Sequence, residues 1–219
     1  MAVGPDISGP TFLCMEKVNY QKELDNVIQS NAGVKRPGLL LHSCCGPCSS
    51  YCLDYLKDYF KITVFYYNPN IYPFEEYDHR LKEQTRLIDS MNSEYGSDIS
   101  LLTVPYDHDE FLAFVKGLEE EPEGGARCAR CFELRLKKTY DLAEKTGADY
   151  YATTLTVSPH KNAVVINSIG QNIAANPSVS WLPSDFKKKD GYKKSIELSA
   201  KYGLYRQNYC GCEFSMWMN

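Results

Sequence analysis

The chain has 219 residues, 43% of them hydrophobic, and a net charge of −4, which suits one domain with a buried core and an appended arm. That acidic balance excludes nucleic-acid binding by bulk charge and leaves only a local basic patch for such a role. No apolar run approaches the roughly 18 residues of a membrane span, and MAVGPDISGPTFLCMEK lacks the basic end and apolar core of a signal peptide, so a cytoplasmic protein is expected.

Residues 1–35 read as an N-terminal extension: an irregular lead, then an amphipathic helix over NYQKELDNVIQSN (Asn19 to Asn31) that stops near Gly33. PGLLLHS is the first strand. Gly46-Pro47 opens a helix to about Lys57, with Pro47 in its first turn. KITVFYYN (Lys61 to Asn68) is a second buried strand, and PNIYPFEEYDHR leads into a helix ending near Asn92. ISLLTVPY (Ile99 to Tyr106) is the third strand, followed by a helix over DHDEFLAFVKGL with Asp107 as its cap. After the polar break EEEPEGGA, a helix runs from about Arg127 to Thr146 and ends at Gly147. ADYYATTL is the fourth strand. SPHKNAVVINSIGQNIAAN reads as a helix with Ser158 capping and Pro159 first, SVSWLP as a short fifth strand, and GYKKSIELSAKYGL as the last helix, ending at Gly203. The tail YRQNYCGCEFSMWMN carries the final cysteines. Alternating strands and helices at this spacing predict an α/β fold with a mostly parallel sheet. Such sheets place their chemistry beyond the carboxyl ends of the strands.

Nine cysteines in a chain expected in a reducing compartment point to metal or redox chemistry rather than structural disulfides. Seven fall into three groups: Cys44, Cys45 and Cys48 at the end of the first strand, Cys128 and Cys131 in RCARCF, and Cys210 and Cys212 in YCGC. A C-x-x-C at a helix start aims two sulfurs at one point beside unpaired N–H groups, which favours thiolates. Four thiolates from two such sites satisfy tetrahedral zinc or a [4Fe–4S] cluster. A well-furnished α/β host has no need of a structural metal, which favours iron–sulfur. The C-x-C closes only a small, strained ring, so Cys210 and Cys212 read as a switchable dithiol or as two further ligands. Cys14 and Cys52 read as bystanders.

FKKKDGYKK is the one dense basic segment. Lys187, Lys188, Lys189, Lys193 and Lys194, with Tyr192 among them and Arg206 beyond, suit phosphate contacts and base stacking; a solvated helix face is the rival.

LHSCCGPCSSY, RCARCFELRL, YYATTLTVSPHKNAVVINSIG and SDFKKKDGYKKSIELSAKYGLYRQNYCGCEFS, in this order from Gly38 to Ser215, resemble the epoxyqueuosine reductase QueH family. The resemblance implies a Rossmann-like, three-layer fold of the adenine-nucleotide-hydrolase/PP-loop type, with residues 36–219 as the iron–sulfur reductase domain. It implies cobalamin-independent reduction of epoxyqueuosine to queuosine at the wobble position of tRNAs for Asp, Asn, His and Tyr, with an external electron donor. By position it implies Cys44, Cys45, Cys128 and Cys131 as [4Fe–4S] ligands, Cys210 and Cys212 as a redox-active, disulfide-forming pair, and Cys48 at a second mononuclear metal, iron or zinc. A proton donor for the departing oxygen is needed too, and Tyr151, His160, Asp185 and Tyr209 are candidates.

Two other functions compete. A PP-loop ATP-dependent tRNA-modifying enzyme needs an S-G-G-x-D-S phosphate loop after the first strand, where this chain has HSCCGPC. A cluster- or zinc-bearing redox sensor leaves the basic segment without a purpose.

Overall fold

LLLH is buried because its strand lies at the centre of the sheet. In the computed structural model, which describes residues 18–33, 36–174 and 178–216, β1 (Gly38–His42) is flanked by β2 (Lys61–Tyr66) and β4 (Tyr150–Thr153), with β3 (Ser100–Thr103) and β5 (Ser180–Trp181) outermost. The order is β3-β2-β1-β4-β5, and every pairing is parallel. Leu40 of β1 sits opposite Thr63 on one side and Tyr151 on the other.

Alternation along each strand feeds two cores. Leu39, Leu41, Ile62, Val64 and Ala152 enter the first, shared with α2 (Gly46–Leu56), α3 (Phe74–Tyr95) and α7 (Gly191–Lys201). Leu40, Phe65 and Tyr151 enter the second, shared with α4 (His108–Val115), α5 (Ala126–Thr146) and α6 (Ala163–Ile173). The result is the expected three-layer, Rossmann-like α/β architecture, its sheet fully parallel. Leu24 of α1 (Tyr20–Ser30) is buried in the first core, and Gly147 caps the end of α5. Asp107 caps α4 by accepting from the Glu110 N–H at 3.0 Å.

Two expectations need correction. The helix expected from Ser158 starts at Ala163: Thr154–Val157 form a 3₁₀ turn, and Asn162, whose side chain accepts from Val164 and Val165 N–H, is the cap. Asn and Ser cap equally well; the tertiary setting decides, because Lys187 Nζ donates to the carbonyls of Thr156 and Lys161 and holds this stretch as a loop. The tail is also more integrated than its composition suggests. Glu213–Met216 form a short α8, Glu213 bonds His108 at 2.9 Å, and Phe214 and Cys212 pack with the second core. Cys14 lies outside the described residues; Cys52 is a buried core residue.

Candidate active site

β1 ends at His42 and β4 at Thr153, two neighbours in register, so the turns that follow them converge. Between those turns and the tail lies a cleft of about 460 Å³. Cys44, Cys48 and Cys210 line it together with the cations Arg80, Arg135, Lys161 and Arg206, and Glu123 is the one carboxylate among its lining residues.

The Sγ atoms of Cys44, Cys45 and Cys48 lie within 4.8 Å of one another, with Cys44 and Cys45 3.7 Å apart. Their convergence follows from the turn. Cys45 is the extended N-cap residue of α2, Pro47 occupies the first turn, and no side chain caps this helix end. The first N–H groups of α2 and their partial positive charge therefore stay beside the thiols. Hydrogen bonds from Cys45 and Cys48 hold the Cys44 thiol well below its ordinary range, aided by the charge of Arg135. The same contacts push Cys45 up to about 12 and raise Cys48. Gln207 Nε2, from the tail, donates to Cys45 Sγ at 3.0 Å.

Beneath the triad is a buried polar network. Arg135 is 2% exposed; its Nε donates to His42 Nε2 at 3.2 Å, Nη2 to Asn68 Oδ1 at 2.7 Å, and Nη1 to Cys131 Sγ at 3.8 Å. Burial and the adjacent guanidinium push His42 down to about 3, so its imidazole is neutral. Among the described residues Arg135 makes no ion pair with a carboxylate. A buried, unpaired guanidinium is costly unless negative charge lies close, and thiols are the neighbours that can carry it.

The other predicted cysteines divide. Cys128 and Cys131 occupy the first turns of α5, where Cys128 Sγ accepts from the Gly124 N–H at 3.2 Å; neither falls within the close thiol triad. Burial raises the Cys131 thiol, against the opposing pull of Arg135. Cys210 faces the cleft, with Lys161 Nζ 3.5 Å from its Sγ. Negative charge on the Cys210 sulfur raises the pKa of Lys161 and so favours its charged form. Cys212 is buried in the second core, and both tail thiols are free. Gly211 between them has φ +97°, and a Cβ there would lie 2.9 Å from Arg80 Nη1, so the backbone favours glycine at this position.

Of the basic residues, Arg206 reaches the cleft, where it bonds Ser199 Oγ at 3.0 Å. Lys187 is engaged with Asp185 at 3.0 Å and Lys189 with Asp25 at 2.8 Å. Lys188, Lys193 and Lys194 are exposed, and Tyr192 of the same segment lines the cleft. Of the proton-donor candidates, His160 and Tyr209 line the cleft. Tyr151 is fully buried, its hydroxyl bonded to the Gly170 carbonyl, and Asp185 is tied to Lys187. Sequence reasoning passed over Arg80, Arg135 and Lys161. Two signals were present: Arg135 stands four residues after Cys131 on one helical face, and Lys161 follows His160 in the SPHKN turn.

The sequence profile of epoxyqueuosine reductase QueH matches residues 39–217. The chain belongs to the QueH family. It is 43% identical over 205 residues to the epoxyqueuosine reductase QueH of Streptococcus pyogenes, covering 91% of this chain and 79% of that one. It is 43% identical to that of Staphylococcus epidermidis (91% and 85% covered) and 34% identical to that of Thermotoga maritima (81% and 90% covered). Among solved structures, the U34-tRNA thiolase NcsA from Methanococcus maripaludis with its [4Fe-4S] cluster aligns with a TM-score of 0.48 at 15% identity, over 89% of this chain and 67% of that one.

Proposed function

We propose that this cleft reduces epoxyqueuosine to queuosine at the wobble position of tRNA, without cobalamin, in the cytoplasm. The observation that carries the proposal is the triad of Cys44, Cys45 and Cys48 within 4.8 Å, in a cation-lined cleft of a chain that belongs to the QueH family. The acceptor tRNAs are those for Asp, Asn, His and Tyr, and the electrons come from an external donor. Residues 36–219 form the reductase domain and 1–35 an extension. No described helix is long and apolar enough to cross a membrane.

The donor set fits an iron–sulfur centre. Soft thiolates suit iron and zinc, and the nearby guanidinium of Arg135, with no carboxylate partner among the described residues, is suited to balance the negative charge of a thiolate-bound centre. Cys44 and Cys45 with Cys128 and Cys131 would hold a [4Fe–4S] cluster, and Cys48 would serve a second mononuclear metal, iron or zinc. When bound, the cluster supplies single electrons to a substrate that needs two.

The chain's own residues do the rest. Arg135 and His42 fix the floor beneath the thiols. Cys210 and Cys212 act as a redox pair that closes to a disulfide and is reset in each cycle. Lys187, Lys188, Lys189, Lys193, Lys194 and Arg206 bind tRNA phosphates; Arg206 and Tyr192 of this stretch line the cleft.

The testing experiment incubates anaerobically reconstituted protein with epoxyqueuosine-containing tRNA and a chemical reductant, then digests the tRNA and identifies the nucleosides by mass. Conversion to queuosine supports the proposal; unchanged epoxyqueuosine beside a fully loaded centre refutes it.

A further inference from the structure

Opening an epoxide puts negative charge on the departing oxygen, and this charge needs a cation or a hydrogen-bond donor in a fixed place. Of the four cations among the described lining residues, three are held by other groups. Arg80 is paired with Glu76 at 2.6 Å and bonded to the Cys210 carbonyl, with its buried Nη2 left unpartnered. Arg135 spends its donors on His42, Asn68 and Cys131. Arg206 is bonded to Ser195 and Ser199 of α7.

Lys161 differs. An ammonium has three donors, and among the described residues this one makes a single hydrogen bond, 3.5 Å to Cys210 Sγ. No described carboxylate forms an ion pair with it. Its backbone is anchored: the Lys161 N–H donates to Ser158 O at 3.3 Å, and Lys187 Nζ donates to its carbonyl. Its ammonium stands over the Phe132 ring, 5.8 Å from the centroid. The head is thus held at the cleft wall beside one of the proposed redox thiols, with donors to spare. The alternatives are worse placed. His160 is exposed, and Tyr209 lies beneath the Arg80 guanidinium with its hydroxyl directed to Tyr72 O.

We propose that Lys161 is a catalytic residue: its ammonium binds the epoxide oxygen, stabilises the charge that develops there, and gives that oxygen its first proton. This rests on the epoxyqueuosine reading above. In sum, the epoxide, two electrons and two protons yield the alkene and water. Both C–O bonds break, the carbons are reduced, and a low-potential one-electron donor such as dithionite is oxidised. An alkoxide is more basic than an alkylamine, so the Lys161 proton moves downhill to the oxygen. Solvent supplies the second proton and recharges the amine.

The test compares wild type with Lys161→Met, Lys161→Ala and Lys161→Arg, each reconstituted, under single-turnover conditions with excess enzyme and dithionite. Iron and sulfide content, the visible spectrum and tRNA affinity are measured on the same samples. Lys161→Met is expected to keep the centre and the affinity while slowing the step by about 100- to 1,000-fold, the usual effect of losing one oxyanion donor. Lys161→Arg should retain more rate than Lys161→Met, and methylammonium should partly rescue Lys161→Ala. A loaded Lys161→Met that reacts at the wild-type rate overturns the assignment. So does loss of iron or sulfide in both Lys161→Met and Lys161→Arg, which would make the residue a support of the centre. Wild-type protein that is fully loaded and inert refutes the epoxyqueuosine reading itself, and the Lys161 role falls with it.

Discussion

Arg80 Nη1 donates to the carbonyl of Cys210 at 3.2 Å, tying the second turn of α3 to a residue 130 positions later. The same guanidinium is 2% exposed, pairs through Nε with Glu76 and stands over the Tyr209 ring. Tyr72 N–H adds a bond of 2.8 Å to Gly211 O. The C-G-C segment is therefore held from both sides at a defined place beside the cleft.

Arg80→Met should release that segment and leave the Glu76 carboxylate without its cation, held by the Tyr205 hydroxyl. We expect a loss of about 3 kcal/mol in chemical denaturation, as when one partner of a buried pair is removed. Adding Glu76→Gln should recover part of it, because the stranded charge is gone. No recovery in the double variant would show that lost packing, rather than the orphaned charge, sets the cost.

Single alanine replacements of Cys44, Cys45, Cys128 and Cys131 should each sharply lower iron and sulfide after reconstitution. Full occupancy in any one of them removes that residue from the proposed ligand set. Double replacement of Cys210 and Cys212 by serine should instead leave the iron–sulfur spectrum near wild type while stopping multiple turnover. Loss of the spectrum would make these two ligands.

Neutralising Lys188, Lys193 and Lys194, which are exposed, should reduce the slope of log affinity for tRNA against log salt by roughly 2 to 3 if each meets a phosphate. Lys189→Gln should touch stability as well as tRNA affinity. Its pair with Asp25 joins the start of α7 to α1 across a partly exposed surface, so its removal should cost less than about 1 kcal/mol in stability. An unchanged salt slope in the triple variant returns the segment to a solvated helix face.

Glu83 carries a pH dependence. Its carboxylate accepts from Arg86 and from the Tyr205 N–H at 2.7 Å, and the Arg86 hydrogen bond is the main cause that holds it below the ordinary glutamate value. A depressed folded-state pKa contributes stability above the unfolded value, and that contribution is lost as pH falls through the folded value. Wild type should therefore exceed Glu83→Gln in unfolding free energy at neutral pH, and the gap should narrow in acid. A gap independent of pH would contradict this.

The fold was legible because its signals are local. LLLH and TVFYY are runs too apolar for an edge strand, Asp107 and Gly147 mark helix ends by their own chemistry, and the thiol triad is set by one turn. The start of α6 was not, since Ser158 and Asn162 are both good caps and the distant Lys187 bonds carbonyls of the stretch that precedes the helix. The cations were not either. Arg80, Arg135 and Lys161 sit in different elements, and only the parallel order of the strands brings them to one cleft. Cys210 and Cys212 looked equivalent in the sequence, yet both touch the second core and, of the two, Cys210 lines the cleft.

On the function proposed above, this cleft removes an oxygen atom from epoxyqueuosine in tRNA. Mass spectrometry of nucleosides from such a tRNA tests it most directly, with the reconstituted protein, the metal-stripped protein and a Cys44→Ala variant run under the same anaerobic reductant. Queuosine, one oxygen lighter, is expected from the reconstituted wild type alone. Queuosine formed equally by the stripped protein, or none formed by a fully loaded wild type, would contradict it.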